Sequence, residues 1–529
     1  MKSSTRALSL VAPVLGGLML CSFASEASAA AFIVTSNADE NDDDLTDDLC
    51  ITASGTCTLR AAIEQANAID TEAHTIDIPG VVGTIVITQT GVPNNDAAWG
   101  DLDIDGDITI VGDGNIIDGN GTDRIFHVLI GASLTASELT LQNGWGDTSG
   151  GAIYNQADLT LIDSTLIFNT STGEGGGIES IAGSSTVLEG CRITENSSTR
   201  GGGVYSAGDL EIVDSTIDLN VATYGAGLYL THTGAPAASI TGSFIGTNDA
   251  TSQGGGIWTS RPVDILGTRI EANSADDFGG GIYAYFGDAV VDVFKSDLVG
   301  NAADNGGGLY NNRGDTALRR VNVVFNTATT AGGGIYNQGP LIMRRSAVFN
   351  NDAAAGAGLY NYFFDADLTA LNTTFSGNDA TGTGGGLWLG SNSTARFNNV
   401  TVTNNTGLGG GLQAWAGASA EFINTLVAGN VDGGGLPSDC SGPIVSNGHN
   451  LIEDTAACTI TGPATNDIYA TAPDLGPLSM NGGRSPTHEL LPTSAALEAG
   501  DAATCRGVDQ RGEPRPGGAV CDIGSFERQ

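Results

Sequence analysis

The stretch AGGGIYNQGPLIMRRSAVFNND, Ala331–Asp352, contains the repeating unit of this chain. Three glycines precede an aliphatic and an aromatic residue, a short hydrophobic segment follows, and the stretch closes on two asparagines and an aspartate. Glycine permits the backbone angles of sharp turns, whereas Ile, Val, Tyr and Phe favour extended strands. The stretch therefore predicts a chain that alternates tight corners with short strands.

The same pattern recurs at a mean spacing of about 26 residues. Each unit has two landmarks, the aliphatic residue after the glycines and an asparagine that precedes it. The aliphatic landmarks are Ile153, Ile178, Val204, Leu228, Ile257, Ile282, Leu309, Ile335, Leu359, Leu387, Leu412 and Leu436. The asparagines are Asn143, Asn169, Asn196, Asn220, Asn248, Asn273, Asn301, Asn326, Asn351, Asn378, Asn405 and Asn430. Landmarks that stay in phase over this length indicate a solenoid.

A unit of this length is too short for two packed helices, and its Gly, Thr, Val, Ile and Asn disfavour helix. It suits three short strands and three turns, with coils stacked about 4.8 Å apart. Parallel strand connections are right-handed in nearly all cases. The predicted fold is therefore all-β, a right-handed parallel β-helix with coils of about 26 residues.

The ends of the chain differ in composition from the repeats. A basic start, the apolar run ALSLVAPVLGGLMLC and the small residues ASAAA predict a signal peptide. Thr58 followed by Leu59, Ala62, Ile63 and Ala66 predicts a short capped helix that closes the amino end of the solenoid. The predicted segments are a signal peptide (1–31), an N-terminal cap (32–95), the β-helix (96–471) and a C-terminal cap (472–529).

Charge and hydropathy restrict the partners of the chain. A formal net charge of −40 argues against nucleic acid as a ligand. After signal removal no apolar run of about 20 residues remains, so no transmembrane segment is predicted. We expect a secreted or cell-surface protein of a bacterium, in which cysteines can oxidise. Proximity predicts three disulfides: Cys50/Cys57, Cys440/Cys458 and Cys505/Cys521.

Both ends and the repeats resemble known bacterial sequence families. CTLRAAIEQANA, Cys57–Ala68, resembles the CSLREA motif, with Ala61 in place of its usual glutamate. The glycine-rich repeats are similar to those of polymorphic outer-membrane proteins. NGGRSPTHELLPTSAALEAGD, Asn481–Asp501, and DQRGEPRPGGAVCDIGSFE, Asp509–Glu527, resemble the choice-of-anchor Q domain. The resemblance implies a right-handed β-helix in an exported, surface-associated setting and implies no established reaction.

A basic column crosses this acidic chain. Lys295, Arg320 and Arg345 occupy one repeat position on successive coils, and Arg319 and Arg344 flank them. Five cations on three coils are predicted to bind carboxylates or sulfates of a polysaccharide. The alternative is that they neutralise nearby aspartates: Asp288, Asp292, Asp315 and Asp365.

An aromatic column follows the aliphatic landmarks. Its members are Tyr154, Tyr205, Tyr229, Trp258, Tyr283, Tyr310, Tyr336, Tyr360 and Trp388. If the landmark points inward, strand alternation points the next side chain outward, where rings can stack on sugars. The ligand-binding prediction rests on Trp258, Tyr283, Tyr310, Tyr336 and Tyr360. The alternative is that the rings stack on one another and stabilise the sheet.

Two acidic stretches have features of calcium sites. NADENDDDLTDD, Asn37–Asp48, offers carboxylates for a possible calcium ion, with Asp39, Asp42, Asp43 and Asp44 as ligands; the alternative is a solvated loop. DLDIDGDITIVG, Asp101–Gly112, begins like an EF-hand loop but has Gly112 where a bidentate glutamate is needed. Its alternating Leu and Ile residues predict strand instead.

No catalytic residue is predicted, because the five histidines are scattered and no nucleophile, phosphate or zinc motif is present. The favoured function is that of an adhesin-like protein that binds glycans or extracellular surfaces. The alternative is a polysaccharide lyase or glycoside hydrolase acting on a uronate-containing polysaccharide. Enzymes usually break the regularity of a repeat at the active site, and the longer repeats at 228–257 and 359–387 are the places for such a break.

Overall fold

The computed structural model describes residues 31–69, 73–89, 97–231 and 234–529. The predicted signal peptide therefore lies outside the described residues, apart from Ala31 at its boundary. The described chain forms a right-handed parallel β-helix, which confirms the predicted fold class. Three parallel sheets run along its length, and one short helix lies near the amino end.

The first sheet has two neighbouring strips of strands. The first strip consists of Leu102–Ile104, Phe126–Val128, Ile153–Asn155, Ile178–Ser180, Val204–Ser206, Leu228–Leu230, Ile257–Thr259, Ile282–Tyr285, Leu309–Asn312, Ile335–Asn337, Leu359–Asn361, Leu387–Leu389 and Leu412–Ala414. The second strip consists of Ala31–Ile33, His74–Asp77, Asp107–Val111, Ser133–Ser137, Asp158–Ile162, Ser185–Glu189, Asp209–Val213, Ala238–Thr241, Val263–Leu266, Val290–Phe294, Asp315–Arg319, Pro340–Arg344, Asp367–Leu371, Thr394–Asn398, Ser419–Ile423 and Ala457–Thr461. Cys440–Ser446 pairs with both strips.

The second and third sheets have shorter strands. The second sheet consists of Trp145–Gly146, Thr170–Ser171, Ser197–Arg200, Val221–Tyr224, Asp249–Gln253, Ser274–Ala275, Ala302–Asn305, Thr327–Ala331, Asp352–Ala355, Asp379–Thr383 and Thr406–Leu408. The third sheet consists of Ile85–Val86, Ile116–Asp118, Thr140–Gln142, Thr165–Ile167, Arg192–Thr194, Thr216–Asp218, Phe244–Gly246, Arg269–Glu271, Asp297–Val299, Asn322–Val324, Ala347–Phe349, Thr374–Ser376, Thr401–Thr403, Leu426–Ala428, Leu451–Ile452 and Ile468–Tyr469.

The three glycines of the opening stretch form one corner of a coil. Gly332 has a φ of +68°, a left-handed conformation that glycine adopts without strain. A Cβ on Gly333 would lie 2.3 Å from the Asp352 carbonyl oxygen, and one on Gly334 would lie 2.6 Å from that of Gly358. The first glycine therefore allows the turn, and the next two allow the following coil to approach closely.

The aliphatic landmarks stack in register, as predicted. Ile335 pairs with Leu309 on one side and with Leu359 on the other, and all three are fully buried. The last predicted step is wrong: Leu436 is 66 % exposed, and Cys440 pairs with Leu412 in its place. The glycines before Leu436 belong to a surface turn closed by the Asp432 carboxylate, not to a corner of the solenoid.

A ladder of buried asparagines fixes one corner of successive coils. From Asn196 onward, each side-chain oxygen accepts from the backbone N–H and the Nδ2 of the asparagine one coil earlier, as Asn301 does from Asn273 at 3.0 Å each. The ladder runs through Asn169, Asn196, Asn220, Asn248, Asn273, Asn301, Asn326, Asn351, Asn378, Asn405 and Asn430. Asn143 was wrongly included, because Gly144 takes its place and donates to Asn169.

The predicted helix closes the amino end. It spans Leu59–Ala68, and the Thr58 side chain accepts from the Ala61 N–H as its N-cap. Arg60 is fully buried, forms an ion pair with Asp39 and donates to the carbonyl oxygen of Gly100 at 2.8 Å. A buried charge needs such partners, so this pair fixes the cap on the first coils.

The C-terminal segment lies along the side of the solenoid. It contains an antiparallel pair of strands, Leu475–Ser479 and Thr487–Leu490, and then folds back over the third sheet. Along the third sheet its contacts run from Asn424 to Asp297, whose carboxylate accepts a 2.9 Å hydrogen bond from Arg484. The segment also reaches the last coils, where the Ala499 carbonyl oxygen lies 2.8 Å from His449 Nδ1 and Leu490 packs in one cluster with Leu451. Its role as a cap stays a prediction. No residue of the last strand of the second strip, Ala457–Thr461, is buried.

The cysteines follow the pairing expected from proximity. Disulfides join Cys50 to Cys57, Cys440 to Cys458 and Cys505 to Cys521, whereas Cys191 is a buried free thiol. Three disulfides are typical of an extracellular protein. Within the described residues, no helix has the length and hydropathy required to cross a bilayer.

Candidate functional site

The basic column occupies a corner between the second strip of the first sheet and the third sheet. Lys295, Arg320 and Arg345 have positive φ angles of 50°, 58° and 56°. Most other coils place Gly, Asp or Asn here, residue types that tolerate this conformation better, and one places Glu138. A lysine or arginine with a positive φ strains the backbone. The contacts of its side chain must therefore compensate for this strain.

Part of the basic column is engaged within the molecule. Arg345 donates to the carbonyl oxygens of Gln510 (3.2 Å) and Arg511 (2.7 Å) in the C-terminal segment. The Arg319 side chain forms an ion pair with Asp292, one of the aspartates named in the alternative. The Lys295 Nζ lies 5.1 Å from the centre of the Phe294 ring. Arg344 is exposed on its strand, and glycan binding by the five residues of the basic column stays a prediction.

Replacing Arg345 with Ala should loosen the C-terminal segment from the solenoid. The substitution removes two charge-assisted hydrogen bonds, and we expect a loss of about 1–3 kcal/mol in the free energy of docking. Limited proteolysis should then cut within residues 475–528 faster than in the parent. Arg344→Ala is the matched control, since it removes a neighbouring exposed arginine; equal cleavage rates in both variants would contradict the docking role of Arg345.

The aromatic column is largely buried and stacked on itself. Trp258, Tyr283 and Tyr310 are 3–7 % exposed, and Tyr336 and Tyr360 are half-buried. Ring centres are 4.1 Å apart between Tyr229 and Trp258 and 4.6 Å apart between Tyr310 and Tyr336, with nearly parallel planes. This geometry favours the alternative interpretation, in which the rings stabilise the first sheet. Sugar stacking by these five residues stays a prediction.

Exposed rings occur instead in the loops that join the two strips of the first sheet. In one coil the loop between Asn337 and Pro340 has two residues, whereas the loop between Asn361 and Asp367 has five. The longer loop carries Tyr362, Phe363 and Phe364. The next two coils contribute further loops. The loops of these three coils together form a concave surface beside the otherwise regular first sheet.

These loops enclose a cleft of about 430 Å³, which we call the aromatic cleft. It is lined by Tyr362, Phe363, Phe364, Trp388, Ser391, Asn392 and Trp415. Tyr362, Phe364 and Trp415 are 42 %, 64 % and 53 % exposed. The Arg313 guanidinium carbon lies 4.3 Å from the centre of the Phe363 ring and holds that ring in place. The cleft thus combines flat apolar faces with a hydroxyl and an amide.

Of the residues that line the aromatic cleft, only Trp388 is predicted from the sequence, as a member of the aromatic column. The sequence marks the place by the length of the unit from Leu359 to Leu387, one of the two longer repeats. The other irregular repeat, between Leu228 and Ile257, includes residues 232–233, which lie outside the described residues. Aligning the repeats does not reveal aromatic residues in these loops, because neighbouring coils have no residue at an equivalent loop position.

A second concave surface of about 640 Å³ lies on the second sheet. Alanines and threonines line it together with Asp276, Asp304, Asp352 and Asp379. Burial and the neighbouring Asp379 carboxylate raise the pKa of Asp352. A surface of small and anionic side chains repels uronates and offers no ring for stacking, so the aromatic cleft is the better candidate for sugars.

The acidic loop proposed for calcium is organised by its own hydrogen bonds. The side chain of Asp39 is 1 % exposed and is paired with Arg60. The Asp42 carboxylate accepts from the backbone N–H of Asp44 and Ile51 at 3.0 Å each. Asp43 and Asp44 are exposed. The four residues therefore face different partners, and calcium binding here stays a prediction.

A polar cluster occupies the amino-terminal end of the column that carries the aromatic rings. In register, Asp103 pairs with His127, His127 with Tyr154, and Tyr154 with Glu179. Asp101 forms an ion pair with Arg124. Burial, reinforced by the Glu174 carboxylate, raises the pKa of Glu179 to about 8. Asp101 and Asp103 belong to the stretch rejected as an EF-hand loop; the stretch divides between Leu102–Ile104 and Asp107–Val111, as its alternation predicts.

Comparisons with known proteins give little beyond this geometry. The chain matches no family model and no curated protein. A solved pectate lyase, Pel9A, aligns at 13 % identity over 95 % of this chain and 97 % of its own, with a TM-score of 0.28. The Azotobacter vinelandii mannuronan C-5 epimerase AlgE6 A-module aligns at 12 % identity over 78 % of this chain and 95 % of its own, with a TM-score of 0.22. At these scores neither similarity bears on activity, so function must be argued from the clefts and side chains themselves.

Proposed function

We propose that this chain is an exported glycan-binding protein and that the aromatic cleft is its sugar-binding site. The observation that carries the proposal is the exposure of Tyr362, Phe364 and Trp415 around one concave surface. Large exposed rings are costly on a solvated surface, and clustered ones mark binding sites. Sugar rings present C–H faces that stack on aromatic side chains, while hydroxyls need polar partners such as Ser391 and Asn392.

The lining of the cleft favours binding over chemistry. Among the described residues that line it, no histidine, carboxylate, lysine or arginine is present. Hydrolysis of a glycosidic bond needs two placed carboxyl groups, and proton abstraction needs a base beside a charge. The cleft has no carboxyl pair, and its one potential base, Tyr362, has no cationic side chain beside it among the lining residues. The enzyme alternative therefore gains no support from this site.

The test of the proposal is retention on immobilised polysaccharides. The mature protein is passed over a panel of neutral and uronate-containing polymers, and turnover is followed by product absorbance and reducing-end release. We expect retention on at least one polymer without turnover. Tyr362→Ala and Trp415→Ala should each weaken binding about 2- to 10-fold, since stacking on one ring contributes about 0.5–1.5 kcal/mol.

Trp99→Ala is the matched control, because Trp99 is 51 % exposed but lies near the amino end, outside the cleft. Equal binding by all three variants would show that the cleft is not the site. Repeating the experiment at high salt separates the cleft from the basic column, since screening weakens only the ionic contribution. Product release that survives in both cleft variants would instead make the chain a depolymerase with another active site.

A further inference from the structure

The buried cluster at the amino-terminal end carries an inference that is independent of glycan binding. Asp101, Asp103 and His127 each offer one ligand atom, and these atoms lie within 4.8 Å of one another. Among the described residues, they form the one group of three or more His, Cys, Asp or Glu side chains with that property. They are 4 %, 1 % and 7 % exposed.

Asp101 Oδ2 and Arg124 Nε face each other in an ion pair. Two further polar atoms in this cluster have no hydrogen-bond partner within the described part of the chain: Asp103 Oδ2 and His127 Nε2. Both side chains are more than nine-tenths buried. Leaving a buried polar atom unpaired costs about 1–3 kcal/mol, so native proteins normally satisfy such atoms. An ion bound by the Asp103 carboxylate would satisfy Oδ2, whereas Nε2 points away from Asp103 and needs a partner of its own.

The remaining contacts place these side chains as a metal site would. His127 Nδ1 lies 2.8 Å from Asp103 Oδ1, which is also about the separation of two ligand atoms on one ion, so a bound ion would take the place of this hydrogen bond. The two ligand strands, Leu102–Ile104 and Phe126–Val128, are paired neighbours, which gives the site a rigid backbone. Arg124 neutralises only one of the two carboxylates, through its ion pair with Asp101. One negative charge is left for a cation.

We propose that Asp101, Asp103 and His127 bind a divalent transition-type metal ion, with zinc as the probe of choice. Imidazole combined with carboxylates suits zinc, whereas calcium prefers sites made of oxygen ligands alone. The site differs from the acidic loop at Asp39–Asp44 in position and in ligand chemistry. It brings together side chains separated by up to 26 positions, which no local motif would show.

The experiment uses the mature protein, stripped with a chelator and then titrated with zinc or with calcium. Calorimetry and elemental analysis after desalting should give one zinc per chain. His127→Gln and Asp103→Asn should each weaken zinc binding at least 10-fold. His449→Gln, which removes a half-buried histidine outside the cluster, should leave it unchanged. Circular dichroism identifies any variant that fails to fold.

Cobalt supplies a readout that needs no variant. Cobalt bound by the parent protein should show visible ligand-field bands that zinc abolishes in competition. Absence of a saturable zinc site in the folded parent would overturn the proposal. Asp103 Oδ2 and His127 Nε2 would then be satisfied by hydrogen bonds to water. Zinc binding that persists unchanged in both folded variants would overturn it as well, since the ion would then lie elsewhere.

Discussion

Replacing Asn301 with Ala should destabilise the solenoid by about 3–5 kcal/mol, more than the same substitution at a nearby residue outside the asparagine ladder. Asn301 accepts from the N–H and the Nδ2 of Asn273, and it donates to the Ile270 carbonyl and to Asn326. Alanine removes all four hydrogen bonds in a fully buried place. Asn326 Oδ1 keeps the Asn301 N–H and Asn273 Nδ2 keeps the Ile245 carbonyl, whereas the Asn273 N–H and the Ile270 carbonyl lose these bonds. Each buried group left without a hydrogen bond costs about 1–3 kcal/mol. This cost outweighs the small gain in free energy from burying one polar side chain fewer.

The effect should be concentrated at one corner. In a solenoid each coil contacts mainly its neighbours, so the lost energy weakens the interface between the coils of Asn273 and Asn301. Guanidinium unfolding should show a lower midpoint, and hydrogen exchange of the Asn273 amide should accelerate.

Asn305→Ala is the matched control for the ladder. Asn305 lies four residues further along the same coil and is half-buried at the end of Ala302–Asn305. We expect a loss below about 1 kcal/mol there, as for most positions outside the core. Equal destabilisation by the two substitutions would show that the ladder adds nothing specific.

The columnar features could be predicted because each repeats every coil. A buried aliphatic residue such as Ile335 has the same neighbours as Leu309 and Leu359, so an error at one coil is corrected by the others. Leu436 and Asn143 were assigned wrongly because each lies at an end of the repeated sequence pattern, and the neighbouring coil beyond it lacks the landmark residues. The glycines before Leu436 look like a corner in sequence, but the Asp432 carboxylate closes them into a surface turn.

The candidate sites were harder to predict, for opposite reasons. The rings of the aromatic cleft lie in loops of unequal length, so they belong to no column, and only the long spacing after Leu359 marked the place. Asp103 and His127 do belong to a column, yet they precede Tyr154, its first aromatic member, and their identities break the pattern. The fate of Arg345 depends on a segment about 165 positions later, and no local pattern contains that information.

Stability should fall as the pH rises from about 5 to 8, and Glu179→Gln should remove much of this fall. Glu179 is 8 % exposed between Tyr154 and Tyr205, and its Oε2 atom has no hydrogen-bond partner within the described residues. Burial first, and then the Glu174 carboxylate, raises the pKa of Glu179 to about 8 from an ordinary value of 4.5. The folded protein therefore holds this proton over a range of pH in which the unfolded chain has lost it.

The direction of the effect follows from proton linkage. Stability falls with pH wherever the folded state binds more protons than the unfolded state, which here means between pH 4.5 and about 8. The contribution of Glu179 is complete below pH 4.5 and is lost as the pH rises through about 8. The full change is on the order of 5 kcal/mol, since one unit of pKa corresponds to about 1.4 kcal/mol.

Guanidinium unfolding of the parent and of Glu179→Gln at pH 5, 7 and 9 would measure this change. Glutamine mimics the protonated carboxyl, so the two proteins should have similar stabilities near pH 4–5 and diverge as the pH rises, with the variant more stable at pH 9. Glu211→Gln, at an exposed strand position, reports the effect of removing a surface charge. A constant difference between parent and Glu179→Gln across all three pH values would mean that Glu179 is ionised in the folded protein. The amino-terminal end of the aromatic column would then hold a buried anion, which only a cationic partner could stabilise there.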